Sequence, residues 1–360
     1  MGSLPTRVID VGDGTNPPRI YSSAAELEPY AALSYCWGQG QNLRLLSTNR
    51  DKFHSGISLS LLPRTIADAI TITRRMGVKY LWVDALCILQ DSVEDLEKEL
   101  SCMGDIYANA KFTIAAKDST SSVDGCFRQR NWPTSAIVPL DIRLPGNTIL
   151  KEHGTRGWTL QEELLSRRML NCGKDELSWN CLESKCSERL PEEEDSRTAH
   201  RFQSAFRRVL VTGIEGYGNL NSVDEEDLFN YWLDTVENYM RRIISDLKDK
   251  LVAVAGVQGA IGKILKDAPV AGIWRERFFA SSLLWRISNK TSDTDIEPFR
   301  CPSWSWGSVS RPVVLEVLPR NASAFACAII QEIRCEIRIT SQRLMQRGDA
   351  VIGVLSSNCR

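Results

Sequence analysis

The stretch that most constrains the fold is residues 80–116, YLWVDALCILQDSVEDLEKELSCMGDIYANAKFTIAA. It opens with Leu81, Trp82, Val83, Ala85, Leu86, Cys87 and Ile88, a run without alternation that only Asp84 interrupts. An unbroken apolar run of that length suits a strand covered on both faces, so residues 80–88 are expected to form a central parallel strand. Asp91 with Glu94 three residues on has the form of a capping box. Leu96, Leu100, Met103, Tyr107 and Ala110 then recur at helical spacing and predict an amphipathic helix over residues 93–109. Strand character returns around Phe112 and Ile114. Strand, helix and strand at this length make a βαβ crossover. Ligands of open α/β sheets bind beyond the carboxyl ends of the strands, where Asp84, Cys87, Gln90 and Asp91 stand as candidate contacts.

The same pattern occurs upstream. Residues 7–11 (RVIDV) read as a first strand, and residues 30–36 (YAALSYC) as an apolar strand ending at Trp37-Gly38-Gln39-Gly40. That glycine turn lacks the Walker lysine and the third glycine of a dinucleotide fingerprint, so it is a weak nucleotide signal. Residues 42–62 read as polar loop. Pro63 suits the first position of a helix whose stripe Ile66, Ala69, Ile70 and Met76 closes at Gly77. Residues 136–142 suggest another strand. Trp158, Gln161, Leu164 and Leu165 form a helix face, and residues 169–172 and 177–181 read as a hairpin around Gly173.

The charged run 183–195 marks a boundary, dividing the chain into domains at 1–195 and 196–360. Beyond it Phe229, Trp232, Val236, Tyr239, Met240 and Ile243 recur at helical spacing. A second helix over 247–265 contains Gly256, Gly259 and Gly262. Each glycine costs a helix about 1 kcal/mol relative to alanine, which predicts close packing or a break. Trp274 and Trp285 suggest a second core. Residues 313–318 and 328–339 read as strands, and Trp304 and Trp306 alternate as on a strand.

A net charge of −1 over 360 residues advertises neither nucleic acid nor an anionic membrane as partner. The eleven cysteines are odd in number and irregular in spacing. No apolar leader occupies residues 1–21, so reduced thiols in a cytoplasmic protein are expected. No run approaches the roughly twenty apolar residues of a membrane span. Met1-Gly2 with Thr6 fits the short myristoylation pattern. Cys172, Cys181 and Cys186 lack zinc spacing, and the three histidines, His54, His153 and His200, form no motif with Cys87, so no metal is expected.

Glu162 is the leading candidate for chemistry. Trp158 lies one helical turn before it, and a carboxylate beside an aromatic wall can bind ribose hydroxyls or steady an oxocarbenium-like transition state. The plainer alternative is an exposed first-turn glutamate favoured by the helix dipole, worth about 0.3–1 kcal/mol. Asp84, set in an apolar strand, predicts a buried pair with an arginine near residues 156–168. Asp95 and Glu99 read as a solvated face.

These blocks resemble a known family. YAALSYCWG, TIADAITITRRMGVKYLWVDALCILQDS, ELSCMGDIYANA and RGWTLQEELLSRRML occur in the order seen in fungal heterokaryon-incompatibility (HET) domains. DKLVAVAG, AGIWRE, LLWR and PSWSWGSV resemble the tail of long HET proteins. The resemblance implies a TIR/flavodoxin-like, mainly parallel α/β sheet in the first half, with an α+β C-terminal region packed on it. TIR enzymes cleave the nicotinamide–ribose bond of NAD with a glutamate in a W-C-x-x-E helix. Trp158 and Glu162 match that helix, with Thr159 in the cysteine position. By this likeness Glu162 is catalytic and NAD is a substrate rather than a cofactor. Ser34, Tyr35, Trp37, Gly38, Asp84, Arg156, Trp158 and Gln161 border the ligand. The implied role is nonself recognition and programmed cell death, with a protein partner or self-assembly. A non-enzymatic signalling module and recruitment to a biosynthetic pathway are the alternatives.

Overall fold

A computed structural model describes residues 2–38, 43–127, 156–189, 207, 209–210, 225–244, 246–276, 278–288 and 301–316. Short runs with no polar face become strands buried along their whole length. In chain order these are β1 (Arg7–Asp10), β2 (Arg19–Ser22), β3 (Tyr30–Ser34), β4 (Tyr80–Trp82) and β5 (Phe112–Ala115), with β2 the partly exposed exception. Between β3 and β4 lie α1 (Arg50–Ser55) and α2 (Arg64–Arg75). Between β4 and β5 come a helical turn, α3 (Asp84–Cys87), and α4 (Val93–Asn109). Then follow α5 (Trp158–Leu165), β6 (Arg168–Cys172), β7 (Leu177–Cys181) and β8 (Lys185–Ser187).

The eight strands form one sheet in the order β2-β1-β4-β3-β5-β6-β7-β8. β4, β3, β5 and β6 run parallel, with Tyr30 beside Tyr80, Ala31 beside Phe112 and Thr113 beside Met169. Antiparallel hairpins extend both flanks. The fold is therefore α/β with a mostly parallel centre, as the apolar runs predict. The crossover through α2 places β4 on one side of β3. The crossover through α4 returns over β3 to place β5 on its other side. The direction of winding reverses at β3, and the carboxyl ends of β3 and β5 flank that point.

Two apolar clusters occupy the described residues. The first fills the sheet and the helices that cover it, with Trp82 and Tyr107 edge to face at 5.7 Å. The second gathers α6 (Glu225–Tyr239), α7 (Val252–Leu265) and the buried tryptophans Trp232, Trp274 and Trp306. Leu160 and Leu165 of α5 belong to it too. β9 (Trp285–Ile287) and β10 (Val313–Leu315) pair as a separate ribbon. No described helix is long and apolar enough to cross a membrane.

Several expectations change. The strand expected over residues 80–88 stops at Trp82, because the Val83 carbonyl accepts the N–H groups of Leu86 and Cys87 at 3.0 and 2.7 Å and folds the chain into a turn. A short buried apolar run does not distinguish strand from helix. The α4 cap is Ser92, which accepts the Asp95 N–H, one residue later than the Asp91–Glu94 box. Residues 42–62 include α1. Glu99 is buried against Arg7, 3.8 Å away, rather than solvated. The helix expected from residue 247 begins at Val252, after a single tight turn. Trp304 and Trp306 are not on a strand: Trp306 opens a tight turn, and its indole donates to the Gly272 carbonyl at 2.9 Å. Trp285 packs against the second core as expected, half-buried on β9. Residues 136–142 and 328–339 and the 195/196 boundary lie outside the described residues.

The glycines of α7 divide by what surrounds them. A Cβ on Gly256 would lie 2.6 Å from the Gln161 side-chain oxygen and 2.9 Å from the Gly104 Cα of α4, whereas one on Gly259 would meet nothing within 4 Å. Gly256→Ala should therefore destabilise the protein by about 1–3 kcal/mol through overpacking. Gly259→Ala should instead stabilise it by up to about 1 kcal/mol through helix propensity. Urea unfolding of both variants checks the contrast, and equal effects would mean that α4 and α7 do not touch at Gly256.

Candidate functional site

Helix α5 supplies the central residue. It ends at Ser166, whose hydroxyl donates to the Glu162 carbonyl at 2.6 Å and lies 2.7 Å from the Thr113 hydroxyl of β5. That tie fixes the helix against the parallel strands. Glu162 is only 5% exposed, and its carboxyl accepts a hydrogen bond from Ser34 at the end of β3. Its Oε2 atom has no hydrogen-bond partner among the described residues. Burial pushes the carboxyl up to about 7, while the Ser34 hydroxyl and the Arg156 guanidinium pull the other way and Asp84 and Glu163 add to the rise. Arg156 itself donates to the Tyr35 carbonyl at 2.5 Å, so it is anchored on the same strand end.

Asp84 is held differently from its expected arginine pair. It opens α3 instead of sitting within a strand, with one carboxylate oxygen accepting the Trp37 indole N–H at 2.8 Å and the other the Ala85 N–H at 2.7 Å. Burial pushes it up to about 6, against those two hydrogen bonds and the more distant field of Arg156. Trp37 carries the Arg44 guanidinium over its ring at 5.3 Å. Gly38 follows with φ +77°, and a Cβ there would lie 2.6 Å from the Ser121 hydroxyl, so glycine is required by both conformation and space.

Ser34, Tyr35, Trp37, Asp84, Arg156 and Glu162 are thus joined, directly or through one another, at the carboxyl edge of β3. Gly38 adjoins them, and Trp158 packs half-buried against both apolar clusters. Four candidates have other employment. Gln161 is buried and accepts the Gly256 N–H at 2.8 Å, clamping α5 to α7. Asp91 is exposed and holds the N–H and hydroxyl of Ser47. The Gln90 amide folds back onto the carbonyls of Asp84 and Ile88, both at 3.1 Å. Cys87 is wholly buried with its thiol pushed up to about 12 by desolvation, which leaves no thiolate to attack with. Tyr107 is the residue that pattern reading assigned to the core alone. Its hydroxyl donates to the Leu33 carbonyl at 3.2 Å, and burial, then the charges of Glu162 and Asp84, push it well above the phenol range. Its only signal is its place on the α4 stripe.

Residues 30–169 match the family model for the heterokaryon incompatibility protein (HET). The chain carries a HET domain. The matched residues begin with β3 and include Ser34, Trp37, Asp84, Arg156 and Glu162, so the whole candidate site lies within the HET domain. The match links the chain to heterokaryon incompatibility. No curated protein matches the chain, and no solved structure does either. Chemically, burial places the Glu162 carboxyl where it gains or loses its proton near neutrality. As an anion it can steady positive charge developing on a ligand, and as an acid it can donate a hydrogen bond. Among the described residues, no group of three or more His, Cys, Asp or Glu side chains could hold a metal ion.

Burial of Glu162 has a measurable consequence for stability. Its folded value of about 7 lies above the ordinary 4.5, so its burial is tolerated while it stays neutral and costs stability as pH rises from 4.5 through 7. The loss should reach about 3 kcal/mol, far more than the dipole of an exposed helix-start residue would supply. Glu162→Gln, neutral throughout, should gain that amount relative to the parent between pH 4.5 and pH 8. Chemical unfolding of both proteins at those two pH values checks it, and a gap independent of pH would show a solvated carboxylate.

Proposed function

We propose that the HET domain of this chain hydrolyses the bond between nicotinamide and ribose in NAD, as an effector of nonself recognition and programmed cell death. The observation that carries the reading is the Glu162 carboxyl, buried with one oxygen unpartnered among the described residues, beside the point where the sheet reverses its winding. Ligands of open α/β sheets bind at such points. The four parallel strands, taken in order of appearance, stand second, first, third and fourth, which supports the flavodoxin-like arrangement that the TIR resemblance implies. Thr159 replaces the TIR cysteine, but its hydroxyl donates to the Arg156 carbonyl at 2.7 Å, a helix-start role that leaves Glu162 its place.

In this reaction the C–N bond breaks, nicotinamide departs with the bonding pair as a neutral molecule, and water adds to the ribosyl cation with loss of a proton. Glu162, ionised, steadies the oxocarbenium as it forms. Arg156 lowers the cost of ionising Glu162, and Ser34 orients its carboxylate. Trp37, fixed by Asp84, offers an aromatic wall.

Purified protein incubated with NAD should release free nicotinamide, and Glu162→Gln should slow release about 10²–10³-fold. The rate should climb about tenfold from pH 6 to pH 8, because the required anion forms as Glu162 loses its proton near pH 7. A folded parent that releases no nicotinamide at pH 8 sinks this reading. It would leave a module that signals by assembly with itself or with a protein partner.

A further inference from the structure

The back of helix α5 is gripped by the chain that follows α6. Gly157 donates its N–H to the Ile243 carbonyl at 2.8 Å, and Arg156 and Ile243 form a parallel bridge. A Cβ on Gly157 would lie 2.7 Å from the Ile244 side chain. Arg242 then reaches along the helix. Nη1 donates to the Thr159 hydroxyl at 2.9 Å, Nη2 to Glu163 at 3.0 Å, and Nε to the Asn238 side chain at 3.0 Å.

Apolar packing accounts for only part of this grip: Ile244 packs half-buried on the second cluster, but Ile243, which supplies the bridge to Arg156, is 68% exposed. The Arg242 side chain is only 6% exposed, and its one anionic partner among the described residues, Glu163, is 30% exposed. Desolvating a guanidinium for such a pair is a costly way to make contact, and a rigid fork with all three nitrogens engaged instead fixes a position. The residues it fixes are those around the site. Arg156, just before the helix, reaches Tyr35, and Glu162, one turn after Thr159, accepts from Ser34.

We propose that residues 242–244 form a positioning clasp that holds Arg156 and Glu162 at the sheet edge, with Arg242 and Thr159 as its positioning pair. The clasp rests on the reading of Glu162 as the working carboxylate. It makes the second cluster part of the site, because α6 carries the clasp and Gly256 of α7 holds Gln161 on the same helix.

The test follows the Glu162 carboxyl by carbon NMR of protein labelled at glutamate, with the signal assigned by its absence from Glu162→Gln. The groups that act on Glu162 are Ser34, Arg156, Asp84 and Glu163, with Tyr107 close by. Deleting the Arg242 charge would raise Glu162 electrostatically, while loosening the helix admits water and lowers it. The informative variants therefore keep every charge. Thr159→Val removes the hydroxyl, Thr159→Ser retains it, and Arg242→Lys keeps the cation without the fork. The midpoint near 7 should fall by about one unit in Thr159→Val and Arg242→Lys and stay at the parent value in Thr159→Ser. With NAD, the same two variants should lose about 10- to 100-fold in kcat with KM nearly unchanged. A parent midpoint in folded Thr159→Val and Arg242→Lys overturns the clasp, as does an equal fall in Thr159→Ser. A parent that does not cleave NAD removes the enzymatic reading alone, since the midpoint judges the clasp without it.

Discussion

The structure depends on one short helix that two cores share. Leu160 and Leu165 of α5 are buried in the second cluster, while Glu162 and Ser166 are bonded to β3 and β5 of the sheet. Eight residues cannot make a stable helix alone, since isolated helices below about twelve residues are marginal in water. Tertiary contacts must hold it. They arrive from every side: the sheet through Ser34 and Thr113, α7 through Gly256, and the stretch after α6 through Arg242.

That arrangement explains how a carboxyl can be buried with an open oxygen. An unpaired buried carboxylate is expensive, and a mobile helix would turn it out to water. Here the helix is pinned at both ends, so Glu162 meets the cost by retaining its proton near neutrality. Arg156 and Ser34 keep the anion within reach. Asp84 contributes from a distance, because its own bonds go to Trp37 and Ala85. The site is therefore a balance of burial against two opposed fields, and small displacements of α5 change it.

Much of the fold was legible because its signals are local. The apolar runs of β3, β4 and β5 announce buried segments, the stripes of α2 and α4 carry the helical period, and α4 spans the residues its spacing predicts. The hairpin of β6 and β7 was legible from its glycine turn. What escaped was non-local. Asp84 finds its indole 47 residues upstream, and Gln161 finds its backbone donor 95 residues downstream. A polar residue on a helix face looks alike whether it faces a ligand or another helix. Glu162 was singled out by its spacing from Trp158, but its burial depends on Ser34 and on the second cluster, which no local pattern encodes. The end of β4 was misplaced because a buried apolar run carries no period to tell a strand from a helical turn.

A helix shared by two cores should couple their unfolding. Native-state hydrogen exchange measures this directly, through the opening free energy of each amide and its dependence on denaturant. The account predicts that the most protected amides of β3, β5, α5 and α7 open together, with one free energy and one denaturant slope. Amides of α7 that open at lower free energy while β3, β5 and α5 stay closed would show that the second cluster does not hold the helix, and would contradict the account.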